Sequence, residues 1–182
     1  MIDSNIAVFF VILLRAFIPF TILRWPLMGG ILAMIADGID VMIYEAFGYG
    51  FLSGIPYHYV DKVFDMWYLS FELIMILRWK DLLAKNTGKI LYLWRFIGFL
   101  VFMIFGIREA FFFAPNFFEY FFIAMLVIWK FKPSFKLKLK SLIIIMLITG
   151  IPTIIKEYIY HYAYQNQVWV WFRDHLFWWL YN

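Results

Sequence analysis

The sequence predicts an all-α polytopic membrane fold of about six transmembrane helices plus a C-terminal interfacial aromatic helix, with residues 1–182 forming a single integral membrane domain. Three observations carry this expectation. Hydrophobic residues make up 65% of the chain and charged residues 15%, whereas an ordinary soluble domain is roughly half apolar and a quarter charged. The mean hydropathy is +0.81. The apolar residues also gather into runs of about twenty, the length a helix needs to cross the hydrocarbon core, and a soluble core of this size would need a charged surface that the composition does not supply.

The first run extends from Ile6 to Leu23, interrupted by Arg15 and Pro19, and Arg24-Trp25-Pro26 ends it. Its flank carries Asp3 rather than lysines and no small-x-small cleavage site follows, so it reads as a span and not as a signal peptide. The second covers Leu27 to Phe47 with Asp37 and Asp40 in its middle, and a connection through Gly48, Gly50, Gly54 and Pro56 predicts an irregular or re-entrant loop. A third run goes from near Asp61 to Trp79, and a fourth from Lys89 to Ile107 follows the polar stretch Lys80 to Gly88. After Arg108-Glu109, Phe111 to Phe113 lead into a fifth over Phe117 to Trp129. The sixth, Ser141 to Tyr160, is expected to kink at Gly150 and Pro152. The tail, with Trp169, Trp171, Phe172, Phe177, Trp178, Trp179 and Tyr181 around Arg173-Asp174-His175, has the composition of a helix anchored at headgroup depth.

Lysine and arginine are distributed unevenly over the loops. Arg24, then Arg78, Lys80, Lys85 and Lys89, then Lys130, Lys132, Lys136, Lys138 and Lys140 fall on one face of the expected topology. Because basic loops stay cytoplasmic, both termini are expected on the non-cytoplasmic side. The net charge of +4 comes mostly from these loops and points to membrane lipid as a partner; no nucleic-acid motif is present. The absence of cysteine excludes disulfides, thiol catalysis and thiolate-bound metal, leaving oxygen and histidine as donors.

The chemistry-bearing residues are acids. Asp37 and Asp40, three apart, share a helix face with Tyr44 one turn on, and Asp61 and Asp65, four apart, share another. A hairpin through the glycine-rich connection brings all four carboxylates toward one end. Their mutual repulsion requires protons or cations, and hard oxygen donors suit magnesium, manganese or calcium better than zinc. An ionisable residue within a span costs at least about 2.5 kcal/mol on insertion scales, which argues against an incidental cluster. In the alternative reading, Arg15, Arg95 and Lys62 pair with the acids and the group only sets helix register. Glu72 continues the stripe of Asp61, Asp65 and Tyr68; it reads as a structural partner for Arg95, with proton relay as the alternative. His58 reads as a hydrogen-bonded loop residue with metal ligation as the alternative, and His161 and His175 have no partner at metal spacing.

Arg24-Trp25-Pro26 closing the first span, Asp37-Gly-Ile-Asp40 late in the second and Asp61-Lys-Val-Phe-Asp65 opening the third resemble the signature of the CDP-alcohol phosphatidyltransferases over about Arg24 to Glu72. Both acid pairs keep that family's spacing. Val41 stands at the position of its glycine, Tyr44-Glu45 at that of its Ala-Arg pair, and Tyr57 at that of the glycine before the second pair. The resemblance implies a six-helix enzyme of phospholipid metabolism, forming a homodimer by analogy. In it Asp37, Asp40, Asp61 and Asp65 would hold divalent cations, and Asp65 would deprotonate an alcohol that attacks the CDP-linked phosphorus and displaces CMP. The competing expectation is a non-catalytic membrane protein, either a relic of that fold or a small transport or scaffold component, whose carboxylates are structural or ion-binding.

Overall fold

The structure, a computed structural model, describes residues 3–159 and 175, so apart from His175 the expected aromatic tail lies outside the described residues, as does His161. The described chain is helical and contains no strand. Asp3 caps α1 (Ser4–Phe17), its carboxylate accepting the Asn5 amide at 2.8 Å. Pro19 has no N–H to continue the ladder, and the chain restarts as the short α2 (Phe20–Arg24). Pro26 then occupies the first turn of α3 (Pro26–Phe47), where a missing N–H costs nothing. Gly48, at φ +87°, releases the chain into the connection.

That connection is irregular, as expected, and holds one 3₁₀ turn at Gly50–Leu52. Gly50 lies so close to α1 that an added Cβ would sit 2.9 Å from the Asn5 side chain and 3.0 Å from its backbone nitrogen. Next come α4 (Tyr57–Ile76), α5 (Leu82–Phe105), the short α6 (Ala110–Phe113), α7 (Phe117–Phe131) and α8 (Leu139–Tyr158). Gly106, at φ +70°, forms the left-handed cap of α5. Asp81 caps the start of α5 through the Ala84 amide at 3.0 Å, while its other oxygen accepts the Leu137 amide at 2.7 Å and ties the approach to α8 onto α5.

Helices α1 and α2 pack on α3, α4 packs on α5, and α7 packs on α5 and α8. The central core joins Ile22, Ala33, Leu69, Ile76, Phe118 and Phe122. A second core at one end joins Ala84, Phe121, Met125 and Ile145, and a third joins Val8, Val11, Tyr44 and Leu52 beside the glycine-rich loop.

Four stretches are long and apolar enough to cross a membrane: Ser4–Leu23, Pro26–Tyr44, Leu82–Phe105 and Leu139–Tyr158. The six-span expectation is met to that extent. The α4 helix is long enough but carries Asp61, Lys62, Asp65 and Glu72. The α7 helix is apolar but has 15 residues, about 22 Å at the α-helical rise against roughly 30 Å of hydrocarbon. Large apolar side chains such as Phe10, Ile104, Phe105 and Ile148 point outward, and among the described residues seven charged ones are buried: Arg15, Asp40, Asp65, Glu72, Arg95, Glu119 and Glu157. Apolar outside and ionisable inside is the distribution of a protein whose surroundings are lipid.

Candidate functional site

The four aspartates meet around one guanidinium. Arg15 projects from α1, with Nη1 donating to Asp40 and to Asp61 Oδ1 at 2.8 Å, and Nη2 donating to Asp37 Oδ1 at 2.5 Å and to Asp65 Oδ1 at 2.9 Å. Only a planar fork can serve two carboxylates on each terminal nitrogen in this way. Its central carbon lies 5.4 Å over the centre of the Phe64 ring. Lys62 supplies the second cation, with Nζ 2.8 Å from Asp61 Oδ2 and 2.7 Å from Asp65 Oδ2. With every group in its ordinary charge state, four carboxylates against Arg15 and Lys62 leave two negative charges.

The helices place these groups as the spacing predicts: Asp37 and Asp40 come from one face of α3, and Asp61 and Asp65 from one face of α4. The sites differ in access. Asp40 is buried, and its second oxygen accepts from the Tyr57 hydroxyl at 2.7 Å. Asp37 keeps 32% of its side-chain surface. One carboxylate oxygen from each of Asp37, Asp61 and Asp65 lies within 4.8 Å of the others. A hard cation ringed by oxygens at about 2.1–2.4 Å needs donors roughly 3–5 Å apart, so an all-oxygen set of this spacing could hold magnesium, manganese or calcium, in competition with the Arg15 guanidinium that the same carboxylates engage.

These three aspartates form part of the wall of a cavity of about 400 Å³. The same wall carries Arg95 of α5, Arg108 from the connection after α5, and Lys156 of α8. Partial burial holds the Arg108 guanidinium below the ordinary arginine value, against the attraction of Glu109 and Asp61. Arg95 donates to the Ala114 carbonyl at 2.9 Å, lies 3.6 Å from Glu157, and stacks its guanidinium 4.5 Å over Phe111. Glu119 accepts from Tyr68 at 2.9 Å and from the Asn116 side chain at 2.8 Å, while Lys156 donates to Tyr120 at 3.2 Å.

Arg15 and Lys62 do pair with the aspartates, as the register reading anticipates. Arg95 does not, and its expected pairing with Glu72 is corrected: its acidic neighbour is Glu157, and both Glu72 oxygens are buried without a hydrogen-bond partner. The reason is reach, since Arg95 is drawn toward the Ala114 carbonyl and Phe111. His58 lines the cavity wall beside the Tyr57 ring. The sequence reading passed over Glu119, Asn116 and Lys156. Glu119 had a signal, being an acid within Phe-Phe-Glu-Tyr-Phe-Phe, where an ionisable group is expensive. Comparison with family models, curated proteins and solved structures finds no match to this chain.

Proposed function

We propose that this chain is a membrane enzyme dependent on a divalent cation, which transfers a phosphoryl-linked lipid group to an alcohol in phospholipid metabolism. The observation that carries the reading is the convergence of Asp37, Asp61 and Asp65 within 4.8 Å on the wall of a cavity that also presents Arg95, Arg108 and Lys156. Carboxylates alone would suit a cation; carboxylates facing the same cavity as these three cationic side chains suit a cation together with a phosphorylated substrate. A bound magnesium or manganese ion would offset charge on the phosphates. Asp65 takes the proton of the acceptor alcohol, whose oxygen attacks phosphorus. The bond from phosphorus to the leaving phosphate breaks, and with a CDP-linked donor CMP departs. Arg15 and Lys62 orient Asp65 by holding one oxygen each. On this reading α4 and α7 cross with the four apolar stretches, giving six spans with the basic loops cytoplasmic.

The test begins with the detergent-purified protein and magnesium, manganese or calcium. A melting temperature that rises with cation in the wild type and not in Asp37→Asn/Asp61→Asn supports the site, because a ligand of the native state stabilises it. Turnover of a CDP-lipid or lipid diphosphate, lost in Asp65→Asn, then supports the base; intact turnover in that variant sinks it. A second reading, a non-catalytic protein whose carboxylates fix helix register, is favoured by one observation, the engagement of all four by Arg15. It expects neither cation dependence nor turnover.

A further inference from the structure

At the end of the bundle where α5 and α8 begin, a groove of about 730 Å³ is lined by Trp79, Lys80, Trp129, Ser134, Phe135 and Lys136, among others. We propose that this groove is a binding site for the phosphate headgroup of an anionic phospholipid. It is a built feature and not a loose loop. The Trp79 and Trp129 rings meet edge to face at 4.7 Å, the Trp129 indole donates to the Phe135 carbonyl at 3.0 Å, and Asp81 holds the Leu137 amide at 2.7 Å.

The charge around it is unbalanced. Arg78, Lys80, Lys85 and Lys89 lie on one side in sequence, and Lys130, Lys132, Lys136, Lys138 and Lys140 on the other, with Asp81 the single carboxylate in either stretch. Asp81 is spent on two backbone amides, and none of these lysines makes an ion pair with another described residue. Lys80 and Lys136 are exposed. The depth is also right: Lys80 lies two residues before Leu82–Phe105 and Lys138 directly before Leu139–Tyr158, two of the stretches able to span a membrane. That places the groove at headgroup level, where tryptophan is favoured. A lipid phosphate with an acyl tail beside the tryptophans satisfies both the lysines and the apolar walls.

The proposal is independent of the aspartate site, and its test keeps the two apart. Protein in an uncharged detergent at physiological salt is titrated with short-chain phosphatidylglycerol, short-chain phosphatidylcholine or inorganic phosphate, with melting temperature as the readout. Phosphatidylglycerol is expected to stabilise the wild type and Asp37→Asn/Asp61→Asn alike, whereas phosphatidylcholine and inorganic phosphate leave both unchanged. Lys80→Gln/Lys136→Gln weakens phosphatidylglycerol binding about thirtyfold, the loss expected for two lysines at a headgroup. Lys89→Gln/Lys140→Gln removes the same charge outside the groove lining and weakens it less than about threefold, because salt screens separated exposed charges. Equal weakening by the two pairs would reduce the groove to diffuse attraction and overturn the site, as would equal stabilisation by phosphatidylcholine. An effect reproduced by inorganic phosphate would overturn the lipid assignment.

Discussion

Replacing Arg15 by glutamine tests the centre of the structure. The substitution removes donors to all four aspartates at once and leaves Lys62, which reaches only Asp61 and Asp65. Two uncompensated negative charges become three, in a place where Arg15, Asp40 and Asp65 are each at most 5% exposed. Breaking a buried charge network by removing one partner costs about 3–5 kcal/mol, so Arg15→Gln is expected to fall by that amount in chelator. A divalent cation should then return much of the loss, about 2.7 kcal/mol at a hundredfold excess over its dissociation constant. The wild type should respond less, because the guanidinium already occupies the space between the carboxylates. Arg15→Lys should lie between, since one ammonium cannot reproduce two nitrogens that each bridge two acids. The assay is thermal or denaturant unfolding in detergent, with chelator and then with magnesium, manganese or calcium. If Arg15→Gln is as stable as wild type in chelator, or if its response to cation is no larger, the account of Arg15 as the cluster's counter-ion fails.

Other positions give independent checks. Gly98→Ala puts a Cβ 2.5 Å from that of Ala114 and should destabilise by about 1–3 kcal/mol, with Ala114→Gly relieving the clash in the double variant. Asp81→Ala removes the cap of α5 and the acceptor for Leu137, costing about 1–2 kcal/mol by unfolding and raising hydrogen exchange at both amides. Glu72→Leu should be neutral or stabilising in the same unfolding assay, because the carboxyl it removes has no hydrogen-bond partner; a loss above about 2 kcal/mol would contradict this. The chain has no cysteine, so Ser53→Cys and Ser134→Cys each create a unique thiol at an exposed position. An impermeant maleimide on intact cells should label the first and spare the second if the basic loops are cytoplasmic.

The legible features of this chain were those set by local chemistry. Pro19, Pro26 and Gly48 punctuate helices through their own backbones, so those breaks fall where the sequence places them, whereas most of the polar stretch Lys80 to Gly88 is taken into α5, which starts at Leu82 and is capped at Gly106, ahead of Arg108-Glu109. The pairing of Asp37 with Asp40 and of Asp61 with Asp65 follows from helix periodicity, and the short glycine-rich connection makes their convergence a consequence of chain length. What remained hidden depended on contacts distant in sequence. Arg15 was visible as a charge in an apolar run, but its equal engagement with both acid pairs depends on how α1 packs against α3 and α4. Glu157 and Lys156 lie near the end of the last apolar run, with nothing in the local sequence to mark them; the packing of α8 on α7 brings them to the cavity. Arg95 had several acids within range, and a backbone carbonyl together with an aromatic face decided among them.

The division of labour among the buried charges bears on what the interior is for. A guanidinium locked to Asp40 would fix the register of α1 against α3, and burying both in that role is tolerable because each supplies the other's hydrogen bonds. Register does not require Asp37, which remains a third exposed and faces the cavity, nor Asp61 and Lys62 beside it. It accounts still less for Arg95, Arg108 and Lys156 reaching the same space from three other segments. Apolar side chains of similar volume would pack such a void more stably, since buried ion pairs are commonly no better than hydrophobic replacements. Maintaining carboxylates and cations around one opening therefore carries a stability cost that packing alone does not offset. The cost is understandable if the opening receives something charged, and the mixed sign of its wall suits a ligand that brings both a cation and phosphate.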